Sequence, residues 1–250
     1  MKSFEDRVVI ITGGGAGIGL AAAKLFAKRG ARVVITGRRA NVLQEITSAN
    51  PNIMGFVADA SDPDAASKTV AAAVDTWGRL DVLINNAGGG AIQPLGSVNV
   101  KTISEVYSVN VTGPFLLTAA AVPHLVKTKG AVVNMSSTFG TKVASGLSLY
   151  GSSKAAIEYL TRAWAIELAP FGIRVNAIAP GPVETDFLRE RMRLSEKEIQ
   201  AVKGQEIQKI PLGRRGVPND IAPWMLALAD PATTWVTGQV IAVDGGLINV

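Results

Sequence analysis

A chain of 250 residues with 48% hydrophobic and only 18% charged residues is too apolar to stay unfolded, and is long enough for one α/β domain. It has no cysteine and one histidine, which excludes disulfides, thiolate metal centres and His-rich zinc sites; no metal is expected. The formal charge of +5 comes from Lys and Arg scattered among acids, with no basic stripe, so nucleic acid is not an expected partner.

At the start, "MKSFEDRVVIITGGG" carries Glu5, Asp6 and Arg7 ahead of its apolar run, against the order of a secretion signal. No eighteen consecutive apolar residues follow anywhere, so no membrane span is expected. With the missing cysteines, this suits a reducing, cytoplasmic setting.

The first predicted strand, "RVVIIT" (7–12), is apolar nearly end to end, as a strand covered on both faces must be. It runs into "TGGGAGIG" (12–19) and then a helical pattern. A turn of Gly13, Gly15, Gly17, Ile18 and Gly19 lets the backbone approach a pyrophosphate, and the helix start offers free N–H groups and a positive dipole end. A dinucleotide site is expected there.

The second strand, "RVVIT" (32–36), ends in Gly37, Arg38 and Arg39. An acid at that point would hold a ribose 2′-hydroxyl, whereas arginine forks suit a 2′-phosphate. NADP(H) is therefore preferred over NAD(H), the plain alternative being two solvated arginines. Five further strands are predicted at 54–58, 81–85, 131–135, 174–179 and 239–243, separated by helical segments that end near glycines. This alternation predicts a single doubly wound Rossmann-type domain over 1–250, a seven-stranded parallel sheet with helices on both faces. Residues 186–210 break the rhythm with a run of charges after the sixth strand. They read as a substrate lid or as a solvated helix pair.

In "LYGSSKAA", Tyr150 and Lys154 fall one turn apart on a helix predicted to begin near Tyr150, so both point the same way. Taken alone, such a pair is a half-buried ring beside a surface ammonium. The surrounding motifs change that reading. TGxxxGxG (12–19), "NNAG" (85–88), "SVNVTGPF" with Asn110, Ser137 thirteen residues before Tyr150, Lys154, and "PGPVET" (180–185) together resemble the short-chain dehydrogenase/reductase family, nearly end to end except at 186–210.

The resemblance implies an oxidoreductase that exchanges a hydride between NADP(H) and a small carbonyl or secondary alcohol. Its catalytic set would be Asn110, Ser137, Tyr150 and Lys154. Tyr150 is the general acid/base; an ordinary phenol pKa near ~10 would be lowered by Lys154, the helix N-terminus and the oxidised nicotinamide. Ser137 orients the substrate oxygen, and Asn110 anchors a water that relays protons to Lys154. Asp59 and Ala60 would meet the adenine. Asn86, Ala87 and Gly88 would lie along a ribose, and Tyr150 and Lys154 would also touch the cofactor. Pro180, Gly181, Val183 and Thr185 would hold the nicotinamide end.

Gly113 and Pro114 are expected to kink the helix just beyond Asn110. A homotetramer or dimer is implied, with Tyr159 and Trp164 in the core or a subunit interface. For the substrate, one alternative is a 3-oxoacyl thioester, with Lys127 and Lys129 meeting an acidic acyl carrier protein. Others are NAD-dependent oxidation of an alcohol, sugar or steroid, and a non-catalytic NADP(H) sensor, which would have no need of the phenol. Gly88–Gly90 would line the substrate pocket. Ser136, Ser152 and Ser153 are expected to cap or pack. A Ser-His hydrolase is disfavoured: there is no GxSxG, and His124 has no evident partner.

Overall fold

The computed structural model describes residues 4–250. Its elements alternate in chain order: β1 (Val8–Ile11), α1 (Gly17–Lys28), β2 (Arg32–Gly37), α2 (Ala40–Ser48), β3 (Ile53–Val57), α3 (Ala65–Trp77) and β4 (Val82–Asn85). The second half continues with α4 (Val100–Tyr107), α5 (Gly113–Thr128), β5 (Ala131–Met135), α6 (Ser148–Leu168), β6 (Arg174–Pro180), α7 (Phe187–Glu190), α8 (Glu196–Lys209), α9 (Pro218–Ala229) and β7 (Val240–Val243). All seven strands pair in parallel, in the order β3-β2-β1-β4-β5-β6-β7. The predicted Rossmann-type α/β sheet is thus observed, with strand ends within about a residue of the sequence reading.

Because side chains alternate across a strand, each of the central strands feeds two apolar layers. Val9, Ile11, Val33, Ile35, Ile84 and Val133 pack with Ala22, Phe26 and Met225 of α1 and α9 on one face. Val8, Ile10, Val34, Leu83, Val132 and Val175 pack with Val70, Leu117, Leu125 and Trp164 of α3, α5 and α6 on the other. Burial on both faces is why these strands carry no polar alternation. The chain winds outward from β1 to β3, then returns to β4 on the other side of β1. The carboxyl ends of β1 and β4 therefore flank a crevice, the place where such sheets bind ligands.

Asp81 anchors the other end of this sheet. Its side chain is fully buried, accepts from the Val8 N–H at 2.9 Å, and is forked by Arg79 at 2.7 and 2.9 Å and by Arg7 at 3.1 Å. Asp81→Ala leaves two guanidinium groups and a strand N–H without that partner. We expect it to lower unfolding free energy by about 3 kcal/mol or more, read from urea denaturation midpoints.

Val100–Thr128 is a helical stretch long and apolar enough to cross a membrane by length and hydropathy alone. Here it is two α-helices joined by a π-helical turn, Ser108–Thr112, and it buries Leu117, Ala121 and Leu125 in the core. The irregularity expected beyond Asn110 therefore falls on Asn110 itself. Just after it, a Cβ on Gly113 would lie 2.1 Å from the Ala60 carbonyl oxygen, so only glycine lets the helix pass this close to the segment after β3. The widened turn swings Asn110 inward, where it is 1% exposed.

Candidate active site

The carboxyl ends of the strands open into one cleft of about 1490 Å³. That exceeds the ~300–1,000 Å³ of a pocket for one small ligand, leaving room for a dinucleotide and a second molecule. Every residue predicted to touch the cofactor lines this cleft, from Gly13 through Arg38, Arg39 and Asp59 to Thr185, as do Ser137, Tyr150 and Lys154. Asn110 alone of the predicted set stands behind its wall.

The glycine turn fits a phosphate by construction. Gly17 has φ +52°, and a Cβ on Gly19 would sit 2.5 Å from the Gly13 carbonyl oxygen, so the loop closes only without side chains. Ala16 precedes α1 in extended conformation and no side chain caps the helix, so its first N–H groups face the cleft uncapped. The turn is braced by Thr12, whose hydroxyl accepts from the Asn86 and Ala87 N–H groups at 3.0 and 2.9 Å. The Asn86 amide in turn donates to the Thr12 carbonyl at 2.8 Å. Among this chain's residues, the glycines, the uncapped helix and the two arginines present the donor set that a dinucleotide's phosphates require.

At the adenosine end, Arg38 and Arg39 are exposed into the cleft beyond β2. Arg38 stands 3.8 Å from Asp59, and Arg39 pairs with Glu190 of α7 at 3.1 Å. Burial opposes ionisation of Asp59, but the Ser61 N–H and hydroxyl, Arg38 and Arg191 together hold it below the usual carboxylate range.

At the inner end, Tyr150 in the first turn of α6 is 7% exposed, and Ser137 lines the same cleft. Ser137 leads out of β5, and its oxygen accepts from the Phe139 N–H at 3.2 Å. Lys154, one turn on, donates to the Met135 carbonyl at 2.9 Å and lies 5.8 Å from the centre of the Tyr150 ring. Without the nicotinamide's charge, both groups are held towards their neutral forms. Burial pushes Tyr150 up to about 12, only partly opposed by the Ser137 hydroxyl. Burial also pulls Lys154 down to about 8. Desolvation disfavours both charged forms, and outweighs the attraction between them.

Asn110 grips the chain rather than the cleft. It accepts from the Gly89 N–H and donates to the Gly89 carbonyl, each at 2.8 Å, and donates to the Ser153 hydroxyl at 2.8 Å. Ser153 passes the contact to the Tyr150 carbonyl at 2.7 Å. Ser153, expected merely to cap or pack, thus joins the π-helical turn to the Tyr150 backbone. Ser152 accepts from the Tyr107 hydroxyl at 3.0 Å. Ser136 donates to Glu158 at 2.8 Å, and Thr141 donates to the same carboxylate at 3.1 Å, so Glu158 bridges both ends of the loop that carries Ser137. Its spacing of four from Lys154 was the available clue, since that places it on the same face.

Residues 186–210 hold the short α7 and the longer α8. α8 begins with a Ser195–Glu198 capping box and is largely solvated. Leu188, Met192 and Ile199, however, pack with Tyr150, and Phe187 meets the tyrosine ring at 6.0 Å. The connection is pinned by Arg215, whose side chain is 3% exposed. It pairs with Glu184 at 2.8 Å and with Glu206 of α8, and donates to the Val183 carbonyl at 2.8 Å. No motif pointed to it.

Lys127 and Lys129 close α5 just before β5 begins, next to the amino ends of the strands. They lie at the opposite end of the sheet from the cleft, so they offer no docking surface beside it. Trp164 is buried edge-on against Phe115, with ring centres 5.5 Å apart, while Tyr159 is 71% exposed.

The sequence model described as enoyl-(acyl carrier protein) reductase matches residues 13–248. An uncharacterized oxidoreductase of Mycobacterium tuberculosis is 38% identical, over 99% of this chain and 94% of that protein. The 3-oxoacyl-[acyl-carrier-protein] reductase FabG of Thermotoga maritima is 36% identical, over 98% of this chain and 99% of its own length. A crystal structure of a short-chain dehydrogenase/reductase of unknown function from Caenorhabditis elegans, solved with cofactor, superimposes with a TM-score of 0.92 at 34% identity, covering 99% of this chain and 97% of that one. With a nicotinamide-dinucleotide cleft on a seven-stranded parallel sheet and relatives matched from end to end, this chain is an oxidoreductase belonging to the short-chain dehydrogenase/reductase family.

Proposed function

We propose that the protein is an NADP(H)-dependent reductase of a small carbonyl compound, or the corresponding secondary-alcohol dehydrogenase, with Tyr150 as general acid/base. The observation that carries this reading is the meeting of Ser137, Tyr150 and Lys154 on the wall of one cleft, with Lys154 one turn along α6 from Tyr150 and its ammonium 5.8 Å from the ring centre. The bound nicotinamide supplies or accepts the hydride. Everything else falls to the chain. Ser137 and Tyr150 present two O–H groups to one substrate oxygen, which orients the carbonyl and stabilises the charge that develops on it. The phenol, protonated at every physiological pH with a pKa of about 12, gives its proton to that oxygen. The Lys154 ammonium stabilises the phenolate left behind. Asn110, through Gly89 and Ser153, holds the catalytic turn and the wall opposite it in register.

The apolar surface of Phe187, Leu188 and Met192 around Tyr150 suits a substrate with an apolar body next to its carbonyl. It also suits 186–210 as the lid over that body. A second reading, an acyl thioester substrate, is favoured by the names of relatives: beside FabG, a probable 2,4-dienoyl-CoA reductase of Bacillus subtilis is 36% identical over 97% of this chain. Ketones, 3-oxoacyl thioesters and alcohols offered with each nicotinamide, followed by nicotinamide absorbance, separate the two.

Preference for the phosphorylated cofactor rests on Arg38 and Arg39. Replacing both with Ala is expected to lower NADPH affinity by a hundredfold or more, at about tenfold or more for each charge-assisted contact, with NADH little changed. Equal loss for both cofactors overturns the assignment. We take the protein to act in the cytoplasm with further copies of itself as partner. Phe115, Tyr159 and Ile166, exposed together on α5 and α6, support a homo-oligomer, which light scattering tests.

A further inference from the structure

We propose that the segment after β6 reads the cofactor's 2′-phosphate directly, with Arg191 as a third phosphate ligand and Glu190 as a latch that the phosphate displaces from Arg39. This deepens the NADP(H) reading above and rests on it. The Arg39–Glu190 pair joins residues 151 apart in sequence, at 3.1 Å, across the mouth of the cleft from the end of β2 to the end of α7. Arg191 follows at once, half-buried and lining the same cleft. Burial, and after it the nearby charge of Arg38, holds its guanidinium below the ordinary value; Arg39 adds to this, while Glu190 and Asp59 oppose it.

Three cations thus face two carboxylates, Asp59 and Glu190, around one corner of the cleft. Each carboxylate already has an arginine, Asp59 at 3.8 Å from Arg38 and Glu190 at 3.1 Å from Arg39. With Arg191 half-buried on the same cleft, three guanidinium groups against two carboxylates leave a net positive corner that a dianion relieves. A phosphate offers three acceptor oxygens to guanidinium forks. It also repels Glu190, so occupancy frees Arg39 from the latch. The effect reaches the substrate wall through one turn of helix, since Phe187 and Leu188 of α7 pack against Tyr150.

The test is direct binding of two probes that lack the nicotinamide, adenosine 2′,5′-bisphosphate and 5′-AMP, to the full chain by calorimetry. Arg191→Ala is expected to weaken the bisphosphate about tenfold or more and to leave 5′-AMP within about twofold. Glu190→Gln is expected to strengthen the bisphosphate several-fold with 5′-AMP unchanged. If Arg191→Ala weakens both probes equally or neither, or if Glu190→Gln weakens the bisphosphate, the proposal is overturned. The double Arg38→Ala, Arg39→Ala variant separates the two layers. If the parent protein has no preference for the bisphosphate, or the double variant keeps it, the NADP(H) reading itself fails. If the double variant loses the preference and Arg191→Ala retains it, only the lid arginine is wrong.

Discussion

Tyr150→Phe is expected to reduce carbonyl turnover by about 10²–10⁴-fold, the range of a positioned general acid. NADPH binding, measured by quenching of protein fluorescence, should stay within about twofold. The ring keeps its place, because its packing against Phe187, Leu188 and Met192 involves no polar atom. The substitution deletes one hydroxyl, and Ser137 beside it keeps the Phe139 N–H, so the cost in stability is expected to be about 1 kcal/mol or less. Loss of turnover with fold and cofactor binding intact assigns the proton to the phenol. Retained turnover would falsify the mechanism and make the non-catalytic binding reading the stronger one.

Lys154→Met carries the second large effect and the pH dependence. Lys154 is pulled down to about 8 by burial, whereas Tyr150 remains protonated up to about 12. Reduction requires the phenol proton and the ammonium together, so its rate in the parent protein is expected to hold below about pH 8 and to fall as pH rises through that value. Lys154→Met should lower turnover by about 10²-fold or more and abolish that descending limb. Stability should move the other way. A lysine whose folded pKa is depressed binds fewer protons in the native than in the unfolded state between about pH 8 and 10.5, so the parent gains stability as pH rises through that window. Below pH 8 the buried charge costs on the order of 3 kcal/mol, from a shift of about two and a half units. The methionine removes this cost and gives up one hydrogen bond to the Met135 carbonyl. Thermal melts at pH 7 should therefore find the variant at least as stable as the parent. A much less stable variant, or a descending limb that persists in it, assigns the pH dependence to another group.

These two residues also mark where the sequence reading was strong and where it was not. The four-residue gap put Tyr150 and Lys154 on one helix face, but their role, and Ser137 altogether, came from the resemblance of the motifs to a known family. The glycine turn was legible by itself, since strand, glycines and helix occupy one contiguous stretch. The proton affinities were not. The sequence places an ammonium beside a phenol, but the enclosure that pushes the phenol up and the ammonium down is a property of the fold. Asn110 was found by resemblance, but its hold on Gly89 and Ser153, from within a π-helical turn, joins residues far apart in the chain.

By itself, then, the amino-acid sequence determined the strand and helix order, the two-sided burial of the sheet and the glycine turn after β1. All of these are written in local periodicity, in glycine positions and in spacings of a few residues. Only the tertiary structure decided that Glu158 clamps the Ser137 loop and that Arg215 ties α8 to the Val183 segment. Each of these couples residues brought together by the winding of the sheet, and each draws its strength from burial, which is a property of the packed chain rather than of any stretch within it.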